Sequence, residues 1–110
     1  MNCPACDGAL GPVARITNFH VTGDPREVVL GACGACGQRY LWESVRGEGP
    51  AAGPSGERLL GPLSRGAASK MQKLMAACPQ PTSMFCACPA HVHVDRLAGK
   101  LPVIHARRGP

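Results

Sequence analysis

Two short stretches decide how this chain folds: Cys3-Pro4-Ala5-Cys6 and Cys33-Gly34-Ala35-Cys36, with 26 residues between Cys6 and Cys33. A C-x-x-C step turns the backbone tightly enough for both sulfurs to face one centre. Two such pairs supply four thiolates, the tetrahedral set that zinc takes with Zn–S bonds of about 2.3 Å. Small residues suit these turns because backbone amides point inward at the sulfurs. Gly34 and Gly37 surround the second pair, and Gly8 follows the first. Four protein ligands leave no position for a reactive water, so the pattern reads as structural rather than catalytic.

The rest of the composition says why such a staple is needed. Of 110 residues 45% are apolar but only 4% aromatic, namely Phe19, Tyr40, Trp42 and Phe85, while Gly (14) and Pro (11) are frequent. Large side chains are scarce, so an ordinary hydrophobic core is weak and a metal is the expected reinforcement. The length excludes a barrel or doubly wound enzyme fold. No apolar run is long enough to span a membrane. Met1-Asn2-Cys3-Pro4-Ala5-Cys6-Asp7 lacks the basic and apolar segments of a signal peptide, so a cytoplasmic location with reduced thiols is expected. Seven cysteines, an odd number, fit a closed disulfide framework poorly.

The expected fold class is a small metal-stabilised α+β protein. An N-terminal three-stranded antiparallel unit over residues 1–46 uses Val13–Val21, Glu27–Leu30 and Arg39–Val45 as strands, with turn chemistry at Thr22-Gly23-Asp24-Pro25. Residues 47–56, rich in Gly, Pro and Ala, read as a linker or long loop. Residues 57–110 form a basic, Cys/His-containing region with a short helical turn at Arg58–Leu63 and one clear helix from Ser69 to Ala77. There Met71, Leu74, Met75 and Cys78 share a face and Ser69 is the N-cap. Met84–Cys88 and Ala90–Val94 alternate like the strands of a hairpin, and Leu101–His105 reads as a last edge strand.

The first 46 residues resemble the zinc-ribbon group. The resemblance rests on Cys3-Pro4-Ala5-Cys6-Asp7-Gly8, on Cys33-Gly34-Ala35-Cys36-Gly37, and on Tyr40 and Trp42 in the strand after the second knuckle. It implies a metal, with zinc favoured, at Cys3, Cys6, Cys33 and Cys36. One departure is Asp7, which stands where such knuckles commonly carry Gly. Rubredoxins share the paired pattern, so iron and one-electron transfer form the rival reading.

A second group, Cys78, Cys86, Cys88, His91, His93 and His105, lies in the basic half. A hairpin turning at Pro89-Ala90 would set Cys88 opposite His91 and Cys86 opposite His93, a site of two cysteines and two histidines. Cys78, which ends the helix, offers an alternative of three cysteines and one histidine, and Met84 with Cys86 and Cys88 would suit copper(I). The plainer reading is a polar strand face with small core cysteines. A three-ligand version of this site would admit water and hydrolytic chemistry, with Asp95 as its one nearby carboxylate.

Charge separates the halves. Residues 1–56 carry Arg15, Arg26, Arg39 and Arg46 against Asp7, Asp24, Glu27, Glu43 and Glu48, a net of −1. Residues 57–110 carry eight Lys and Arg against Glu57 and Asp95, a net of +6. Four thiolates and one zinc bring the first half to roughly −3, which repels phosphate. The expected function is therefore a non-enzymatic accessory or adaptor module that docks on a larger protein complex, with Tyr40 and Trp42 as candidate interface anchors. The alternatives are nucleic-acid association through residues 57–110, rubredoxin-like electron transfer, and an open metal site doing enzymatic work.

Overall fold

A computed structural model describes residues 2–19, 25–45, 56–83 and 86–108. The expected turn at Thr22-Gly23-Asp24, residues 47–55 of the expected linker, and Met84 and Phe85 lie outside the described residues. Five strands and two helices follow in the order β1 (Leu10–Phe19), β2 (Pro25–Cys33), β3 (Arg39–Val45), β4 (Gly56–Leu63), α1 (Arg65–Ala76), α2 (Pro89–Ala98) and β5 (Val103–Arg108). All five strands form one antiparallel sheet in sequence order, β1-β2-β3-β4-β5.

The first three expected strands are present, with β3 at its expected bounds. The expectation of a three-stranded sheet is corrected: Arg58–Leu63 is part of β4, not a helical turn, and pairs with β3 from Arg39↔Leu63 to Val45↔Gly56. The physical reason is that this strand is apolar toward both faces. Leu60 joins the core under the helices, while Leu59 packs with Tyr40 on the opposite side. An unbroken apolar run of that kind has no strand-like alternation to betray it. The last edge strand, expected at Leu101–His105, runs instead from Val103 to Arg108 and pairs with β4.

The helices cover one face of the sheet. Ile16, Val28, Leu30, Leu41 and Leu60 from the strands meet Ala68, Met71 and Met75 of α1 and Val94 and Ala98 of α2. Val28, Leu30, Leu41, Leu60, Met71 and Val94 are fully buried, and each large aliphatic side chain so placed contributes about 1.5–3 kcal/mol. On the other face Val29, Trp42 and Leu59 lie in register across β2, β3 and β4. Trp42 lies on Gly31: a Cβ at residue 31 would sit 2.6 Å from the indole Cζ3. Glycine is required there to seat the ring.

Helix α1 begins four residues earlier than its apolar spacing suggests. Ser64, not Ser69, is the N-cap, and its Oγ accepts a hydrogen bond from the Ala67 amide at 3.1 Å. Residues 89–98 are the larger correction. They form α2 rather than the second arm of a hairpin, with Cys88 as N-cap and Pro89 in the first turn. Proline has no N–H to lose at that position and its fixed φ suits it. Ala90, Val94 and Ala98, four residues apart, are the buried stripe.

A buried polar network ties α2 to the sheet. Arg26 donates through Nε to Asn18 Oδ1 (2.7 Å) and through Nη1 to Glu43 Oε2 (3.0 Å). It also pairs with Asp95 of α2. Asn18 Nδ2 donates to the same Asp95 carboxylate at 3.0 Å, and Arg58 Nε reaches Glu43 Oε1 at 2.8 Å. Glu43 is almost wholly buried, and two guanidiniums meet its two oxygens. Such a fully paired group is tolerated where a lone buried carboxylate would not be.

Candidate metal centres

The first centre is built by two knuckles with the same backbone pattern. The Asp7 amide donates to the Cys3 carbonyl and the Cys3 amide to the Gly8 carbonyl. Likewise the Gly37 amide donates to the Cys33 carbonyl and the Cys33 amide to the Gln38 carbonyl. The residue after each second cysteine must take a left-handed backbone: Asp7 has φ 65° and Gly37 φ 78°. Asp7 thus does the work of the glycine that the resemblance leads one to expect, in a conformation Asp tolerates better than most side chains. Gly8 is needed for a different reason, since a Cβ there would lie 3.0 Å from Cys33 Sγ and 2.9 Å from the Ala35 Cβ.

The Sγ atoms of Cys3, Cys6, Cys33 and Cys36 all lie within 4.8 Å of one another. The Cys3–Cys36 sulfur distance is 3.7 Å and that of Cys6–Cys33 is 3.4 Å, close to the roughly 3.8 Å edge of a tetrahedral zinc–thiolate site. Electrostatics also asks for a cation. Burial opposes a thiolate at Cys3, but the Tyr40 hydroxyl and the amides of Ala5 and Cys6 outweigh it and bring its pKa down to about 6. At Cys6 the Gly8 amide favours the thiolate, yet hydrogen bonding with Cys33 and Cys36 pushes the thiol up to about 12. Four sulfurs this close cannot all ionise unless positive charge sits among them. A divalent metal supplies it.

Tyr40 is a buried part of this centre and not an exposed anchor: its hydroxyl meets Cys3 Sγ at 3.5 Å. Burial first, and then the hydrogen bond to Cys3, push its pKa up to about 12, so it stays a protonated donor to the sulfur. That is a supporting contact of the kind that orients metal ligands. Trp42 is half-buried over Gly31.

The second centre brings together Cys78, Cys86, Cys88 and His91, whose ligand atoms again lie within 4.8 Å of one another. Cys78 Sγ is 3.8 Å from Cys86 Sγ and 3.3 Å from Cys88 Sγ, and His91 Nδ1 is 3.1 Å from Cys88 Sγ. This is the set of three cysteines and one histidine that includes Cys78, not the hairpin set with two histidines. His93 is excluded by helical geometry, because two residues along α2 place it on the far side from His91. His105 is on β5, at the opposite edge of the sheet from β1, where this centre lies.

His91 carries the clearest sign that the group fits a metal. Its Nε2 lies 2.8 Å from the Thr17 carbonyl oxygen. A carbonyl only accepts, so Nε2 carries the hydrogen, and Nδ1 is the ring nitrogen that faces the sulfurs. Metal-bound histidines are oriented by such a partner on the other nitrogen. Thr17 also donates its amide to the Pro81 carbonyl at 2.7 Å, so one residue of β1 clamps both sides of the cluster. Cys88 caps α2, where the helix dipole favours a thiolate. Burial opposes ionisation there, but His91 brings the Cys88 pKa down to about 6. Burial and the Cys88 sulfur push Cys78 up to about 11.

Sequence reasoning has no hold on Thr17, since its role uses only backbone atoms. The Asn18–Arg26–Glu43 network is equally hidden, each residue being an ordinary polar position on a strand. Pro89 does carry a usable signal, as a first-turn proline ahead of the helically spaced Ala90, Val94 and Ala98. Among the described residues no helix is long and apolar enough to cross a membrane. Comparison with protein-family models, with curated proteins and with solved structures finds no match for this chain. The paired Cys knuckle is consistent with a zinc-ribbon-like site, and both Cys/His groups can hold a metal ion compatible with zinc.

Proposed function

We propose that this chain is a two-zinc, non-enzymatic accessory module that acts by binding a macromolecular partner. The observation that carries the reading is the donor count: each cluster offers four protein ligand atoms converging on one centre, four sulfurs in one and three sulfurs with an imidazole nitrogen in the other. Filled tetrahedral sites give a metal no open position for water or substrate. The metals then serve the fold. The first joins the N-terminal knuckle to the β2–β3 turn, and the second fixes α2 and its preceding loop to the edge of β1. With the metals closed, the surface is what remains to act.

X-ray absorption at the zinc edge tests this. A first shell of sulfur with a minor nitrogen component and no water oxygen is expected, as the two donor sets together require. A water-derived oxygen at about 2.0–2.2 Å would indicate an open site and favour enzymatic chemistry. Iron in place of zinc at the all-sulfur site would favour electron transfer.

A further inference from the structure

The outward side of the helix layer carries charge of one sign. Between Arg65 and Lys100 the cations are Arg65, Lys70, Lys73, Arg96 and Lys100, and the single carboxylate is Asp95. All five cations are exposed, while Asp95 is engaged by Arg26 and Asn18. Lys70 and Lys73 lie one turn apart on α1, away from the buried Met71 and Met75. On α2 and the turn that ends it, His93, Arg96 and Lys100 fall at i, i+3 and i+7, on one side of the helix. Helices α1 and α2 pack on one shared core through Met71, Met75, Val94 and Ala98, and Lys70, Arg96 and Lys100 are near enough to His93 to act on it by charge. Lys70, Lys73, Arg96 and Lys100 are thus all on the exposed side of the two packed helices, while Arg65, at the start of α1, lines a cavity with Arg39 and with Cys36 of the first centre.

We propose that this face binds the phosphate backbone of duplex DNA without reading its sequence. The proposal rests on the reading of the chain as a binding module. Three features of the face select the partner. Its charge is uncompensated, as a polyanion requires. It carries no exposed aromatic among the described residues, since Tyr40 is buried and Trp42 lies on the opposite side of the sheet. That disfavours single strands, which bind by stacking on aromatics. Among the described residues its one exposed large apolar side chain is Val92, too little for the apolar and aromatic centre of a protein interface. A helix can enter the roughly 12 Å major groove of B-form DNA, whereas the deep, narrow A-form groove of duplex RNA excludes it.

The test is the salt dependence of binding to a labelled duplex of about 20 bp, using the zinc-loaded full chain. The four cations Lys70, Lys73, Arg96 and Lys100 give a slope of log K against log salt of roughly −3.6, or a roughly 150-fold loss between about 50 and 200 mM salt. In the variant Lys70→Gln, Arg96→Gln, Lys100→Gln the slope should shrink by about 3 and binding at low salt should fall at least tenfold. Arg15→Gln, on the other face of the sheet, should change neither by more than its single charge. No binding at about 50 mM salt, an unchanged slope in the triple variant, or preference for duplex RNA, a DNA single strand or polyglutamate would overturn the proposal. Zinc content is measured on the same samples. Two zincs with no DNA binding would refute this face and leave the module reading standing, whereas missing zinc would strike the module reading itself.

Discussion

Replacing Cys88 by alanine should release α2 while leaving the sheet folded. Ten residues form this helix, fewer than an isolated helix needs to persist in water. Ordering them costs about 15 kcal/mol at about 1.5 kcal/mol per residue. Burial of Val94 returns about 2–3 kcal/mol and the methyl groups of Ala90 and Ala98 about 0.8 kcal/mol each. The shortfall is at most about 10–11 kcal/mol, which Leu97 and the pairing of Asp95 with Arg26 and Asn18 reduce by a few kcal/mol and which the roughly 10–16 kcal/mol of a structural zinc covers. Cys88 is both a ligand and the N-cap of α2, so its loss removes the metal's grip at the point where the helix starts. Hydrogen exchange read by mass spectrometry should show amides of residues 89–98 losing their protection. Those of β2 and β3 should keep theirs, held by the first centre and by Val28, Leu30 and Leu41. Zinc content should fall by one ion per chain. Protection of α2 that survives with one zinc lost would refute the reasoning, because apolar burial and the Asp95 pairs to Arg26 and Asn18 would then suffice.

Further predictions concern the parts that support the two centres. Tyr40→Phe removes the hydroxyl from Cys3 and should weaken metal binding by roughly ten- to a hundredfold in chelator competition, with the fold unchanged; equal affinity would remove Tyr40 from the centre. Glu43→Ala leaves the buried Arg26 with two of its three partners, Asn18 and Asp95, and should lower stability by about 3–5 kcal/mol in denaturant melts. A loss under about 1 kcal/mol would mean Asn18 and Asp95 suffice for that guanidinium. Gly31→Ala drives a methyl into the Trp42 ring and should cost about 1–3 kcal/mol with a shift in tryptophan emission. Adding Trp42→Leu should relieve the cost, and failure of that rescue would place the strain elsewhere.

The legible and illegible parts of this protein differ in a physical way. The first centre can be read because C-x-x-C spacing is local: each pair makes its own turn, and only the meeting of two pairs is left to the fold. Strand β3 is readable from Tyr40, Leu41 and Trp42, residues that suit a pleated, half-buried surface. Strand β4 is not, because Leu59 and Leu60 are buried on opposite faces and leave no period. The second centre is visible as a set of ligands but not as a geometry. His91-Val92-His93-Val94 alternates like a strand, yet Ala90, Val94 and Ala98 also recur at helical spacing, and Pro89 decides between the two. Taking the helix separates His93 from His91, so one misread element exchanges a histidine for a cysteine in the ligand set. The clamp at Thr17 depends on backbone atoms 74 residues from His91, a juxtaposition that only the folded sheet creates.

Native mass spectrometry of the purified chain, beside its elemental analysis, counts the metals at the two clusters. Two zinc ions per chain are expected, one for each cluster. A single zinc would reduce Cys78, Cys86, Cys88 and His91 to a group of thiols around an ordinary buried histidine. A metal-free chain with paired disulfides would rule out both zinc sites.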